Sequence, residues 1–275
     1  TCNEMDNMEC EWFTDLPQHT IKAGNKRLAE IIFEQIKDSL SNGSRREREH
    51  FIFNEALNST IEDEQLLAYV NELKKICPKD AAEKHCGAIV MNCNPFTKGH
   101  RYLIETAAKT VDYLFIFVVE EDKSFFKFED RINLVELGTE DLDNVIVTPS
   151  GRFVLSALTF PGYFNKENDQ EAVVDTGNDI KIFAKYIAPV LNIKVRFAGE
   201  EPLDNITNQY NKTMSEILPL YNIEFKEIKR AELGEEVISA SRVRAAIKNK
   251  DLELISNLVP KTTLDFLKEK YFNEK

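Results

Sequence analysis

Thr97, Gly99 and His100 are the residues whose types and spacing most clearly suit chemistry. Thr97 and His100 lie three apart where a loop passes into an amphipathic segment, so both side chains can face one bound group. A histidine in the first turn of a helix can donate to a phosphate oxygen and stabilise charge that grows during attack at phosphorus. Gly99 leaves room for backbone to approach a nucleotide. The unpaired N–H groups of a helix start, with the positive end of its dipole, suit a phosphate. The plain alternative is an ordinary strand-to-helix turn carrying a surface histidine.

The elements that must position this group are legible on either side. Gly87-Ala88-Ile89-Val90-Met91 is short, apolar and partly β-branched, as in a buried strand of a parallel sheet. It stops at Asn92-Cys93-Asn94-Pro95. From His100 to Thr110, Leu103, Ile104, Ala107 and Ala108 recur at helical spacing. A second cluster lies far downstream, in Ile238-Ser239-Ala240-Ser241-Arg242-Val243-Arg244. Ser239 and Ser241 at a helix start can cradle phosphate oxygens, and Arg244 can neutralise charge on leaving pyrophosphate. A serine there would cap the helix in any case, and both roles can coexist.

Thr97-Lys98-Gly99-His100 resembles the (H/T)xGH signature of the nucleotidyltransferase α/β-phosphodiesterase superfamily. Ile238 to Arg244 is similar to its second signature, ISSTxxR, with Ala240 where a hydroxyl is common. The longer string from Gly87 through Phe96 to Glu105 resembles one branch more closely, citrate lyase ligase. The resemblance implies catalytic roles for Thr97, His100, Ser241 and Arg244. It implies nucleotide binding by the loop residues Asn92, Asn94, Phe96 and Gly99, and by Ser239. Phe128-Glu129-Asp130-Arg131 is similar to the family's helix after the second strand. There Arg131 could hold a phosphate with its planar fork, and Lys123 is a comparable candidate. A solvated surface charge is the plain reading of either residue. Phe197-Ala198-Gly199-Glu200-Glu201-Pro202, with Thr207, Tyr210, Asn211 and Met214, resembles a block that meets base and ribose in related enzymes. Gly199 and Glu200 are the candidates there. Thr159 to Phe164 matches a family string whose aromatic character suits a small apolar pocket, around acetate, or a packed loop.

Further strands read at Tyr113–Val119, Val145–Val147, Val195–Ala198 and Glu224–Ile228. Helices read at Phe128–Leu137, Ile180–Leu191 (ended by Asn192), Arg242–Lys248, Leu252–Leu258 and Thr262–Tyr271. Such alternation predicts an α/β fold, a Rossmann-like parallel sheet with helices on both faces. Ligands of such sheets sit beyond the carboxyl ends of the strands, where both signatures fall.

Residues 1–84 differ in style. Leu28, Ile32, Ile36 and Leu40 recur every four residues before Gly43, and a second helix is expected from Arg45 to Leu57. Ser59 and Glu62 form a capping-box pattern ahead of Leu66, Leu67, Val70, Leu73 and Ile76, and Pro78 ends that run. The expectation is a small helical N-terminal region, 1–84, ahead of a catalytic domain, 85–275. The family resemblance does not cover the first part.

The chain has 275 residues, 43% hydrophobic content and a formal net charge of −12. The content supports a sizeable core, and the charge argues against a nucleic-acid partner. No apolar run has the length of a membrane span. Five cysteines without a CxxC pair indicate neither a zinc site nor a disulfide framework, and no metal ligands are assigned. Cys93, inside the loop, reads as packing rather than nucleophile. Free thiols and no signal-like segment at Thr1 make the cytoplasm the expected compartment, and a first residue other than Met suits a fragment or a processed chain.

The resemblance therefore implies an ATP-dependent acetate ligase, with Mg²⁺ on the phosphates. Acetate would attack the α-phosphorus of ATP, and the acetyl-adenylate would pass its acetyl group to the prosthetic thiol of the citrate lyase acyl carrier protein. Two alternatives stay open: an adenylyl- or cytidylyltransferase acting on a phosphorylated small molecule, and a nucleotide-binding module without turnover.

Overall fold

A computed structural model describes residues 61, 63–120, 124–154, 177–201, 205–230, 232–233 and 236–272. The chain divides into two compact units, Thr1–Leu67 and Ala68–Lys275. The helices expected at 28–40 and 45–57, the Ser59 and Glu62 capping pattern, Lys123 and the 159–164 string lie outside the described residues.

The second unit is built on a five-stranded sheet. Its strands are β1 (Cys86–Met91), β2 (Tyr113–Val118), β3 (Val145–Pro149), β4 (Ile193–Gly199) and β5 (Glu224–Ile228). All pairings are parallel, in the order β3-β2-β1-β4-β5. The first crossover leaves β1 for β2 and a later one returns beside β1 as β4, so the order reverses between β1 and β4. That is where open parallel sheets take their ligands. Glu232–Leu233 and Glu236–Val237 (β6 and β7) form a separate antiparallel pair.

Among the described residues the α-helices are α1 (Glu64–Ile76), α2 (Lys98–Ala108), α3 (Phe128–Leu137), α4 (Gly177–Ile182), α5 (Asn205–Ile217), α6 (Ala240–Lys248), α7 (Leu252–Leu258) and α8 (Lys261–Leu267). The period of two along the strands sorts them onto both faces. Ile89, Met91, Leu114, Ile116, Val118, Val195 and Phe197 share one core with Ile104, Ala107 and Ala108 of α2 and Leu134 and Val135 of α3. Phe117 points to the other face, where its ring meets Phe183 edge-on at 5.8 Å, just beyond α4. On that face Arg196 of β4 donates to the Tyr210 hydroxyl of α5, which donates to Asp179 of α4. The three C-terminal helices form a core of their own around Val243, Ile247, Ile255, Leu258 and Leu267, closed by Phe126.

Several boundaries differ from the sequence reading, among them the helix expected at Thr262–Tyr271, which is α-helical only over Lys261–Leu267 and continues as a π turn over Lys268–Phe272. The helix expected at Ile180–Leu191 is α-helical only to Ile182 and continues as a π turn over Phe183–Ile187. The helix is capped at Ala188, ahead of the expected end at Asn192, which stands in the left-handed region at φ 51° and whose amide donates to the carbonyls of Ala81, Ala82 and Lys84. The helix ending before Pro78 begins at Glu64, where the Asp63 carboxylate accepts from the N–H groups of Gln65 and Leu66. It crosses the division between the two units. Within the second unit its Tyr69 donates to the Pro149 carbonyl and packs on Phe153. No described helix is long and apolar enough to cross a membrane.

Candidate active site

The loop after β1 hands the chain to α2 at Thr97, which sits in extended backbone and caps the helix. Its hydroxyl accepts from the His100 N–H at 3.3 Å. In return the Thr97 N–H donates to His100 Nδ1 at 3.1 Å, closing a capping box with histidine in the place usually taken by glutamate. This reciprocity fixes the imidazole. A neutral ring whose Nδ1 accepts carries its proton on Nε2, so Nε2–H is the donor left for a ligand. Burial, with a further push from the charge of Arg230, lowers the His100 pKa to about 4. The ring is therefore neutral at physiological pH. It lies nearly parallel to Phe96 at 6.0 Å.

The second cluster meets this one backbone to backbone. A Cβ on Gly99 would lie 3.3 Å from the Ile238 carbonyl oxygen, the residue just before the α6 cap. The glycine thus makes room for the second signature's chain as well as leaving α2's first turn bare. Ser239 caps α6, accepting from the Arg242 N–H at 3.4 Å, and its hydroxyl lies 3.0 Å from that of Ser241. Arg244 donates to the Asn94 carbonyl at 2.6 Å. Two helix starts, each with a hydroxyl, are thereby held close together, and each offers N–H groups and the positive end of its dipole.

Asn92 and Asn94 build the loop. The Asn94 side-chain oxygen accepts from the Phe126 N–H, and that of Asn92 accepts from Arg131 and Ser124. Gly199 and Glu200 end β4 at the same edge of the sheet. The Glu200 N–H donates to the Ile228 carbonyl, and Asn211 donates to the Gly199 carbonyl and to Glu227. Glu200, Glu201, Asn208, Asn211 and Glu227 line a groove of about 310 Å³ there.

Two expected nucleotide contacts take other roles. Arg131 is wholly buried. Its Nε donates to the Phe126 carbonyl, and one terminal nitrogen donates to the carbonyls of Asn92 and Val119 and to the Asn92 side chain. It braces the carboxyl ends of β1 and β2 rather than reaching out to a phosphate. Phe96 is also wholly buried, within the core shared with α2 and α3, so its ring packs beside His100 rather than standing open to a nucleotide. Lys123 lies outside the described residues. Cys93 is buried and its thiol is pushed above its ordinary range by desolvation, so it holds no thiolate for attack.

The sequence reading passed over Lys98 and Arg230. The Lys98 ammonium donates to the carbonyls of Ser256 and Asn257, the open C-terminal end of α7, and so ties the first signature to the C-terminal helices. Arg230 pairs with Glu201 at 2.7 Å beyond β5. Among the described residues no group of three or more His, Cys, Asp or Glu side chains gathers to hold a metal ion.

Comparison with known proteins follows the same outline. The family model of the citrate lyase ligase C-terminal domain matches residues 86–267. The citrate (pro-3S)-lyase ligase of Escherichia coli K12 is 43% identical over 208 residues, 74% of this chain and 58% of that protein. The Klebsiella pneumoniae enzyme is 43% identical over 188 residues, 66% of this chain and 54% of its own length. A phosphopantetheine adenylyltransferase of Clostridium novyi is 23% identical over 173 residues, 61% of this chain and 92% of that protein. The chain thus spans little more than half the length of the ligases it matches. From the β1 strand through α8 it carries their C-terminal domain, and it belongs to the citrate lyase ligase family.

Proposed function

We propose that this chain forms acetyl-adenylate from ATP and acetate and passes the acetyl group to the prosthetic thiol of the citrate lyase acyl carrier protein. The observation that carries the reading is the meeting of two helix starts at Gly99 and Ile238, with the Nε2–H of a neutral His100 beside them. Such a site suits a polyphosphate and the charge that develops at a phosphorus under attack. In the first step an acetate oxygen bonds to the α-phosphorus and the bond to pyrophosphate breaks. His100 donates to an α-phosphate oxygen, Thr97 holds the imidazole's tautomer, and Ser239, Ser241 and Arg244 take the β- and γ-phosphates. In the second step the thiol sulfur bonds to the acetyl carbon and AMP leaves. No protein nucleophile is required, in keeping with the buried, protonated Cys93. The edge at Gly199 and Glu200 is left for the nucleoside. Mg²⁺ is expected to arrive on the triphosphate, where it offsets charge. We place the reaction in the cytoplasm, where ATP and a reduced carrier thiol are available.

The test is pyrophosphate release from ATP or CTP against a panel of carboxylates and phosphate esters. The expected result is release from ATP that depends on acetate. Release that requires CTP or a phosphate ester would assign a nucleotidyltransferase instead, and binding of ATP without release under any condition would assign a binding module.

We also assign this chemistry to the sheet unit alone. Chain lacking residues 1–60 is expected to fold and to bind ATP as the full chain does, by calorimetry. An insoluble product would make the N-terminal region part of the catalytic core.

A further inference from the structure

Glu201 and Arg230 stand two residues beyond the ends of β4 and β5, whose last residues, Gly199 and Ile228, are register partners. Their side chains meet at 2.7 Å and are 16% and 25% exposed. The other neighbour of β4 is β1, which leads into the His100 loop. The pair therefore sits across one strand from the first signature, at the edge where the strand order reverses. Neither helix start uses it. Glu200, Glu201 and Glu227 line the groove beside it, together with Lys212. Ile228 packs on the core shared with α2, so the chain reaches Arg230 from the α2 side of the sheet, whereas Arg244 is held on the side of α6.

We propose that Arg230 is a further ligand for the polyphosphate of the bound nucleotide, and that Glu201 is the counter-ion that keeps its guanidinium at the sheet edge until the nucleotide arrives. This rests on the adenylate-forming reading above. A guanidinium presents a planar fork that matches two phosphate oxygens as well as it matches a carboxylate, so the exchange of partners keeps its hydrogen bonds. The arginine's effect on His100, whose ring it helps to keep neutral, agrees with that placement. Glu201 then opposes binding, because its charge must give up its partner to the incoming anion. The two members of the pair are expected to act with opposite sign, which a purely structural ion pair would not do.

The experiment is calorimetry on the full chain and on Arg230→Gln, Arg230→Lys and Glu201→Gln, titrated with ATP, adenosine and inorganic tripolyphosphate. Arg230→Gln is expected to weaken ATP and tripolyphosphate about tenfold or more and to leave adenosine within about twofold, with Arg230→Lys between. Glu201→Gln is expected to tighten tripolyphosphate by about threefold. Equal losses for ATP and adenosine, no loss for either, or weaker tripolyphosphate binding by Glu201→Gln would each overturn the inference and leave the function standing. An unaltered chain that binds neither ATP nor tripolyphosphate would overturn the adenylate-forming reading, and this inference with it.

Discussion

The carboxyl end of β1 and the carboxyl ends of β4 and β5 lie at one edge of the sheet, yet they are built by different means. After β1 nearly every polar group is spent on the protein itself. Arg131 gathers the carbonyls of Asn92, Val119 and Phe126, Asn94 is held through Phe126 and Arg244, and Thr97 and His100 cap one another. After β4 and β5 the groups are carboxylates and an arginine that still meet water: Glu200 is exposed, and Glu201 and Arg230 are partly so. The first end fixes geometry and the second holds charge. A reaction that depends on a donor placed to a fraction of an ångström needs the former, and recognition of a highly charged substrate can use the latter.

The comparison breaks most sharply at Arg131. Replacing it with Met leaves the three carbonyls without their donor inside the protein, and a loss of about 3 kcal/mol or more in unfolding free energy is expected by urea denaturation. A loss under about 1 kcal/mol would mean that the loop stands without this brace. Gly138→Ala presses on the same end from behind. Its Cβ would lie 2.3 Å from Phe96 Cε1 and 2.8 Å from the Leu134 carbonyl, so Phe96, against which His100 stacks, must move. Overpacking of this kind costs about 1–3 kcal/mol, and a stability equal to that of the unaltered chain would show that the space is not filled.

A smaller effect sharpens the contrast in charge. NMR titration of the His100 ring is expected to give a midpoint near 4. The folded pKa lies below the unfolded value of about 6.5, so between the two the unfolded chain binds more protons. The histidine's contribution to stability is complete above about pH 6.5 and is lost as pH falls through about 4. A midpoint near 6.5 would mean that the ring is hydrated and its capping contact loose.

Much of the first end was legible. Thr97 and His100 are close in sequence, and a cap and its partner are local by nature, so type and spacing suffice to place them. The central strands β1, β2 and β4 were legible for a similar reason: residues such as Ile89, Phe115 and Val195 are buried and appear as apolar runs, whereas the edge strand β5 mixes charged with apolar residues. Arg131 was misread because nothing local reveals it. Its acceptors include Asn92 and Val119, separated from it by 39 and 12 residues, so an arginine on an amphipathic helix reads as a surface charge until the loops close over it. Phe96 was expected at the nucleotide because it lies inside the binding loop, and its burial and the close approach to Gly138 put it in the core instead. Arg230 lacked a motif, since its partner Glu201 belongs to another strand.

The most direct measurement is the His100→Ala variant in acetate-dependent exchange of pyrophosphate into ATP, with ATP affinity measured separately. The ground-state α-phosphate already has solvent and backbone donors, whereas in the transition state negative charge moves onto oxygens that, in the proposed mechanism, the His100 Nε2–H would meet. Loss of such a donor costs about 3 kcal/mol, so the rate at saturating ATP is expected to fall roughly a hundredfold or more while the ATP dissociation constant changes little. A raised dissociation constant with an unchanged rate at saturation would make His100 a binding residue and contradict the mechanism.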